Sequence, residues 1–139
     1  MSDEILQYVW PDLLKAFSSL HVDSAGWSLL PVGLRAPMKM NRVRISEDSV
    51  IRISDGSNSE ERPIPKEQFL EFARMAIEAP CGRFCIKGTR TPKAGWCGAF
   101  VSTSLARLSY FEYKEGQFLL FSKDQFKKAR KSAAKHPGK

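Results

Sequence analysis

Arg83, Lys87, Arg90 and Lys93 fall within a fourteen-residue stretch that ends at Trp96. Guanidinium and ammonium groups hold phosphate oxygens, and an indole offers a face on which a base can stack. This stretch therefore holds both parts of a nucleic-acid contact. A second cationic run, Lys123, Lys127, Lys128, Arg130, Lys131 and Lys135, is opposed by Asp124 alone. The predicted interface is the loop Arg83, Lys87, Arg90, Lys93 and Trp96, together with Arg107 and with Lys127, Lys128, Arg130 and Lys131 of a last helix. Contacts of this kind position a protein on DNA or RNA without reading its sequence.

The charge distribution supports this emphasis on the second half. The chain has 139 residues and a formal charge of +7. Residues 1–81 hold 9 Lys/Arg against 12 Asp/Glu, whereas residues 82–139 hold 13 against 3, a local balance of +10. Residues 122–139 alone carry +6. A cationic region of this strength attracts nucleic acid, an anionic lipid surface or an acidic protein, and with Phe126 and a few alanines as its apolar face the last helix suits a membrane surface least. The alternative to nucleic-acid binding is thus a protein interaction module, such as a small inhibitor or regulator that binds an acidic partner.

Trp96-Cys97-Gly98-Ala99-Phe100-Val101 resembles the nucleophile motif of CHAP and NlpC-type papain-like cell-wall peptidases, over about six residues. The resemblance implies a Cys97 thiolate at the start of a helix, partnered by an imidazole on a strand downstream. The one histidine after Cys97 is His136. A papain-like cysteine hydrolase is accordingly a third reading. The rest of the chain points away from catalysis: there is no glycine-rich phosphate loop, and no paired acids stand near the basic loop. Cys81, Cys85 and Cys97 lack the second cysteine pair or nearby histidines of a zinc site, because His21 and His136 are remote in sequence. Neither a metal nor a cofactor is expected. The N-terminus Met1-Ser2-Asp3-Glu4 is acidic where a secretory signal would be basic, and no apolar run approaches the ~20 residues of a membrane span. The expectation is a cytoplasmic protein with reduced thiols and no membrane partner.

The elements that must carry these residues follow from periodicity. Ile5, Leu6, Val9, Trp10, Leu13, Leu14 and Phe17 recur at helical spacing, with Pro11 either opening a helix or kinking one. Residues 42–46 and 50–53 alternate around Glu47-Asp48-Ser49, which predicts a hairpin. If Val43, Ile45, Ile51 and Ile53 share one face, a three-residue loop sets Arg44 opposite Arg52 on the outer face, a secondary anion site. Residues 55–65 read as a polar surface loop, and Pro65-Lys66-Glu67 opens the strongest helix, with Phe69, Phe72, Ala73, Ala76 and Ile77 on one stripe. Residues 96–108 fit a strand or a helix. Tyr110–Tyr113 and Gln117–Phe121 form a second hairpin, with Gly116 at a positive-φ position, before the last basic helix. The fold class is α+β: a mainly antiparallel sheet of two hairpins packed with two to three helices in a single domain. The domain is assigned to residues 1–121. Residues 122–139 form a basic C-terminal helix or partly disordered tail, which is dispensable for folding if Phe126 adds little to the core.

Overall fold

The computed structural model describes residues 2–32, 39–46, 48–53, 61–86, 98–115 and 117–135. The first helix, α1 (Ser2–Ser18), runs through Pro11. Proline removes the bond to the carbonyl of Gln7, and both residues lie on the exposed side, where water can take that carbonyl. The opposite stripe, Leu6, Val9, Trp10, Leu13 and Phe17, is buried.

Strands β1 (Ser28–Val32), β2 (Lys39–Ser46), β3 (Ser49–Ile53) and β4 (Arg62–Pro65) form an antiparallel sheet in that order. The hairpin β2–β3 differs in register from the sequence expectation. Ser46 pairs with Ser49 across a two-residue turn, so Arg44 lies opposite Ile51 and Arg52 lies opposite Val43. Side chains alternate between faces along a strand, so Arg44 and Arg52 point to opposite sides of the sheet. The physical reason is that Val50 rather than Ile51 takes the inward position opposite Ile45 and Ile64. Ile45, with the correct parity, sits at the sheet end and is 38% exposed.

Strand β4 falls inside the stretch read as a surface loop. Its Ile64 is buried against the inner face, and its prolines, like Pro31 of β1, are confined to edge strands where a missing N–H breaks no ladder.

Helix α2 (Lys66–Glu78) starts where expected, with Lys66 N–H donating to the carbonyl of Asp48 in the β2–β3 turn at 2.7 Å. A short 3₁₀ turn, Pro80–Gly82, leads into β5 (Arg83–Cys85). Gly82 has φ +64, and a Cβ there would stand 2.5 Å from the carbonyl oxygen of Phe121. Residues 98–105 resolve as helix α3 (Gly98–Leu105). The second hairpin is β6 (Phe111–Lys114) and β7 (Phe118–Phe121), with β7 between β5 and β6 in a separate three-stranded sheet. In its turn Glu115 takes a positive φ of 57°, while Gly116 lies outside the described residues.

The fold class is thus α+β and antiparallel, but the strands divide into two sheets and four α-helices are present among the described residues. One apolar core joins α1, the inner face of the four-stranded sheet, α2, α3 and the three-stranded sheet. The last helix is α4 (Lys123–Lys135).

Candidate nucleic-acid interface

Ser122 caps α4, its hydroxyl accepting from the N–H of Gln125 at 3.2 Å, and this fixes where the lysine-rich sequence becomes helical. The helix is held to the body on one face. Phe126 meets Tyr8, Tyr110 and Phe121 at ring-centroid distances of 5.8, 5.0 and 6.4 Å. One turn on, Arg130 donates to Oδ2 of Asp12, the same oxygen that accepts from the hydroxyl of Tyr110. The Arg130 guanidinium also lies 4.4 Å over the Tyr8 ring. Burial first, and the Asp12 carboxylate second, push the Tyr110 hydroxyl far above the ordinary tyrosine range. Arg130, expected among the phosphate contacts, is placed by the structure in this structural network.

The exposed surface of α4 that flanks this anchored face is cationic. Lys123, Lys127 and Lys131 follow one another at i,i+4 spacing, Lys128 lies beside them, and all four are exposed. The one acid in the helix is Asp124. The ion pairs among the described residues are Arg74–Asp3 and Arg130–Asp12, and neither involves these lysines.

Arg83 begins β5, and its guanidinium stacks 3.9 Å over Phe118 of the neighbouring strand, with the side chain exposed. A depression of about 550 Å³ is lined by Arg83, by the cap Ser122 and by Gln125 of α4, which brings these two predicted parts to one region. Arg107 is exposed just beyond α3. Lys87, Arg90, Lys93, Trp96 and Cys97 lie outside the described residues.

The predicted pair Arg44 and Arg52 is not brought together. Arg44 covers Trp27 on the outer face at 4.1 Å and donates to the carbonyl of Ala25 at 3.4 Å. Arg52 instead lies on the inner face, opposite Arg62 of β4, so the like-charge pair arises one strand further on. Sequence reasoning missed Arg62 because it missed β4. It also missed Asp12 and Tyr110, since a pairing across 98 positions leaves no local signal.

Among the described residues no group of three His, Cys, Asp or Glu is arranged to hold a metal ion, and neither Cys81 nor Cys85 is in a disulfide. Helix α3 starts at the residue after Cys97, and the strands that follow it, β6 and β7, contain no histidine. No helix among the described residues is long and apolar enough to cross a membrane. No protein-family model, curated protein or solved structure matches this chain.

Proposed function

We propose that this protein is a non-catalytic nucleic-acid-binding domain that holds the phosphate backbone. The observation that carries the reading is the sorting of charge on α4: its arginine turns inward to Asp12, while Lys123, Lys127, Lys128 and Lys131 stand exposed on a helix anchored by Phe126. A row of ammonium groups on a fixed support neutralises phosphates at little ordering cost to the backbone. Arg83 adds to the cationic surface, and the basic segment 87–96 follows β5 in sequence; cytoplasmic location is part of the same reading. The test is an anisotropy titration of the full chain with single-stranded and duplex DNA and RNA at two salt concentrations. Affinity that falls steeply with salt supports the reading, and absence of binding at low salt refutes it. Reversing Lys87, Arg90 and Lys93 to glutamate tests that segment separately.

One observation favours a second reading, binding of an acidic protein segment. A groove of about 740 Å³ between α1 and α4 has Ile5, Tyr8, Ile77, Phe121 and Phe126 among its lining residues and Lys123 and Lys127 on its α4 side. Apolar anchors with flanking lysines suit an amphipathic acidic peptide. Glu4 and Glu78 also line this groove, which weakens its selection for acid. A protein interface would show a shallow salt dependence and sensitivity to Tyr8→Ala.

A further inference from the structure

We propose that the depression beside Arg83 is a guanine-selective nucleotide site, in which Glu112 reads the base and Arg83 holds its 5′-phosphate. The inference rests on the reading of Arg83 as a phosphate contact and adds a base to it. The depression is lined from both the three-stranded sheet and the start of α4. Its volume, about 550 Å³, falls within the roughly 300–1,000 Å³ of small-ligand sites.

Strand register places the two charged groups. Arg83 of β5 pairs with Leu120 of β7, and Leu120 pairs with Glu112 of β6. Directly paired residues project to one face, so Arg83, Leu120 and Glu112 form a row across the sheet. The buried pair Phe84 and Leu119 takes the opposite, core-facing side. Two strand spacings separate the ends of the row, about 10 Å. Arg83 and Glu112 are both exposed and both line the depression, and the ion pairs among the described residues do not join them. The Arg83 guanidinium is held 3.9 Å over Phe118, so its position is set before a ligand arrives.

A carboxylate at a phosphate-binding surface repels the backbone beside it, and it contributes to binding where it accepts hydrogen bonds from a base. An ionised carboxylate only accepts, through two adjacent oxygens. It therefore matches an edge with two adjacent donors. Among the Watson–Crick edges of the common bases guanine alone has one, its N1–H beside the 2-amino group. Adenine and cytosine set a donor beside an acceptor, and uracil or thymine flanks its one donor with two acceptors. Paired donors on a carboxylate make a bidentate, charge-assisted contact. With that edge on Glu112, the ring lies over Leu120 and the 5′-phosphate reaches toward Arg83, a separation comparable with the width of the row. Ser109 and Gln125, also on the lining, offer hydroxyl and amide donors to O6 and N7. The guanylate is either free or one residue of a single strand, whose base edges are open to such contacts.

The test is calorimetric titration of the full chain with GMP and AMP. Wild-type protein is expected to bind GMP roughly tenfold to a hundredfold more tightly, the discrimination that one bidentate base contact supplies. Glu112→Gln, at an exposed position, should erase that preference, because an amide sets a donor beside its acceptor. Arg83→Gln should lower GMP affinity, with melting temperature read alongside. A parallel titration uses oligothymidine strands that carry one central guanine, adenine or inosine, the last lacking the 2-amino group. Selection of guanine over both, lost in Glu112→Gln, assigns the site to a strand; selection of GMP over AMP without it assigns the site to a free nucleotide. No guanine preference in either titration, or a preference that survives Glu112→Gln, overturns the inference. Oligonucleotides bound without regard to base, with no selection of GMP, remove this inference and leave the nucleic-acid reading standing. Selection of GMP without any oligonucleotide binding does the reverse.

Discussion

Replacing Lys123, Lys127, Lys128 and Lys131 together with alanine should flatten the salt dependence of nucleic-acid binding while leaving the fold intact. The four ammonium groups are exposed and belong to no ion pair among the described residues. Exposed side chains seldom hold a fold together, and alanine favours helix by a few tenths of a kcal/mol per site. Along the row Lys123, Lys127, Lys131 the helix rises about 6 Å per step, so each ammonium can meet a separate phosphate. Four phosphates neutralised contribute about −3.6 to the slope of log K against log salt on duplex DNA and about −2.8 on single strands. Raising salt from about 50 to 200 mM should then cost wild type roughly 150-fold more duplex affinity than it costs the variant. The assay is fluorescence anisotropy at four salt concentrations, with melting temperature as the check on folding. A variant that melts as wild type does and whose slope changes by less than about one unit refutes the placement of phosphates on α4.

Cutting the chain after Phe121 removes the Phe126 ring from Tyr8, Tyr110 and Phe121 and leaves Asp12 without Arg130; the expected loss is roughly 3 kcal/mol of stability, read from urea unfolding. Arg130→Met tests the ionic part alone and should lower the melting temperature, leaving the salt slope of binding within experimental error. Tyr110→Phe should remove part of the alkaline sensitivity of the fold. Since the folded hydroxyl titrates above its unfolded value near 10, wild type loses stability as pH rises past 10, by roughly 1 kcal/mol at pH 11, and the phenylalanine variant lacks that loss in chemical denaturation at pH 7 and 11. Gly82→Ala should destabilise by more than about 1 kcal/mol, because φ +64 is strained for alanine and the new methyl meets the Phe121 carbonyl; equal unfolding midpoints would contradict the close approach.

Helical periodicity was readable where one stripe is buried and the other face polar. In α1 and α2 the stripes Leu6, Val9, Leu13, Phe17 and Phe69, Phe72, Ala73, Ala76 occupy the core as their spacing requires. The β2–β3 register was not readable, because Val50-Ile51-Arg52-Ile53 offers an apolar side chain at both parities. Trp27 and Ile53 are buried apart from the main core, so the outer face also accepts apolar residues and the rule of a single buried face fails. Strand β4 was hidden for a different reason. Two prolines in four residues suppress a strand signal, yet on an edge they cost no ladder bond on the solvent side.

The candidate site was legible as a quantity of charge and illegible as a distribution of it. Four arginines that contribute to the cation count lie over aromatic rings: Arg44 on Trp27, Arg52 on Phe100, Arg83 on Phe118 and Arg130 on Tyr8. A weakly hydrated planar guanidinium gains from stacking, whereas a compact ammonium keeps its water, so the lysines of α4 stay outside. The same +1 therefore does different work according to residue type. Reversing an arginine here removes a packed contact together with a charge, and any loss of binding would mix folding with recognition. The exposed lysines of α4 can be changed so that affinity and its salt slope report on the partner alone.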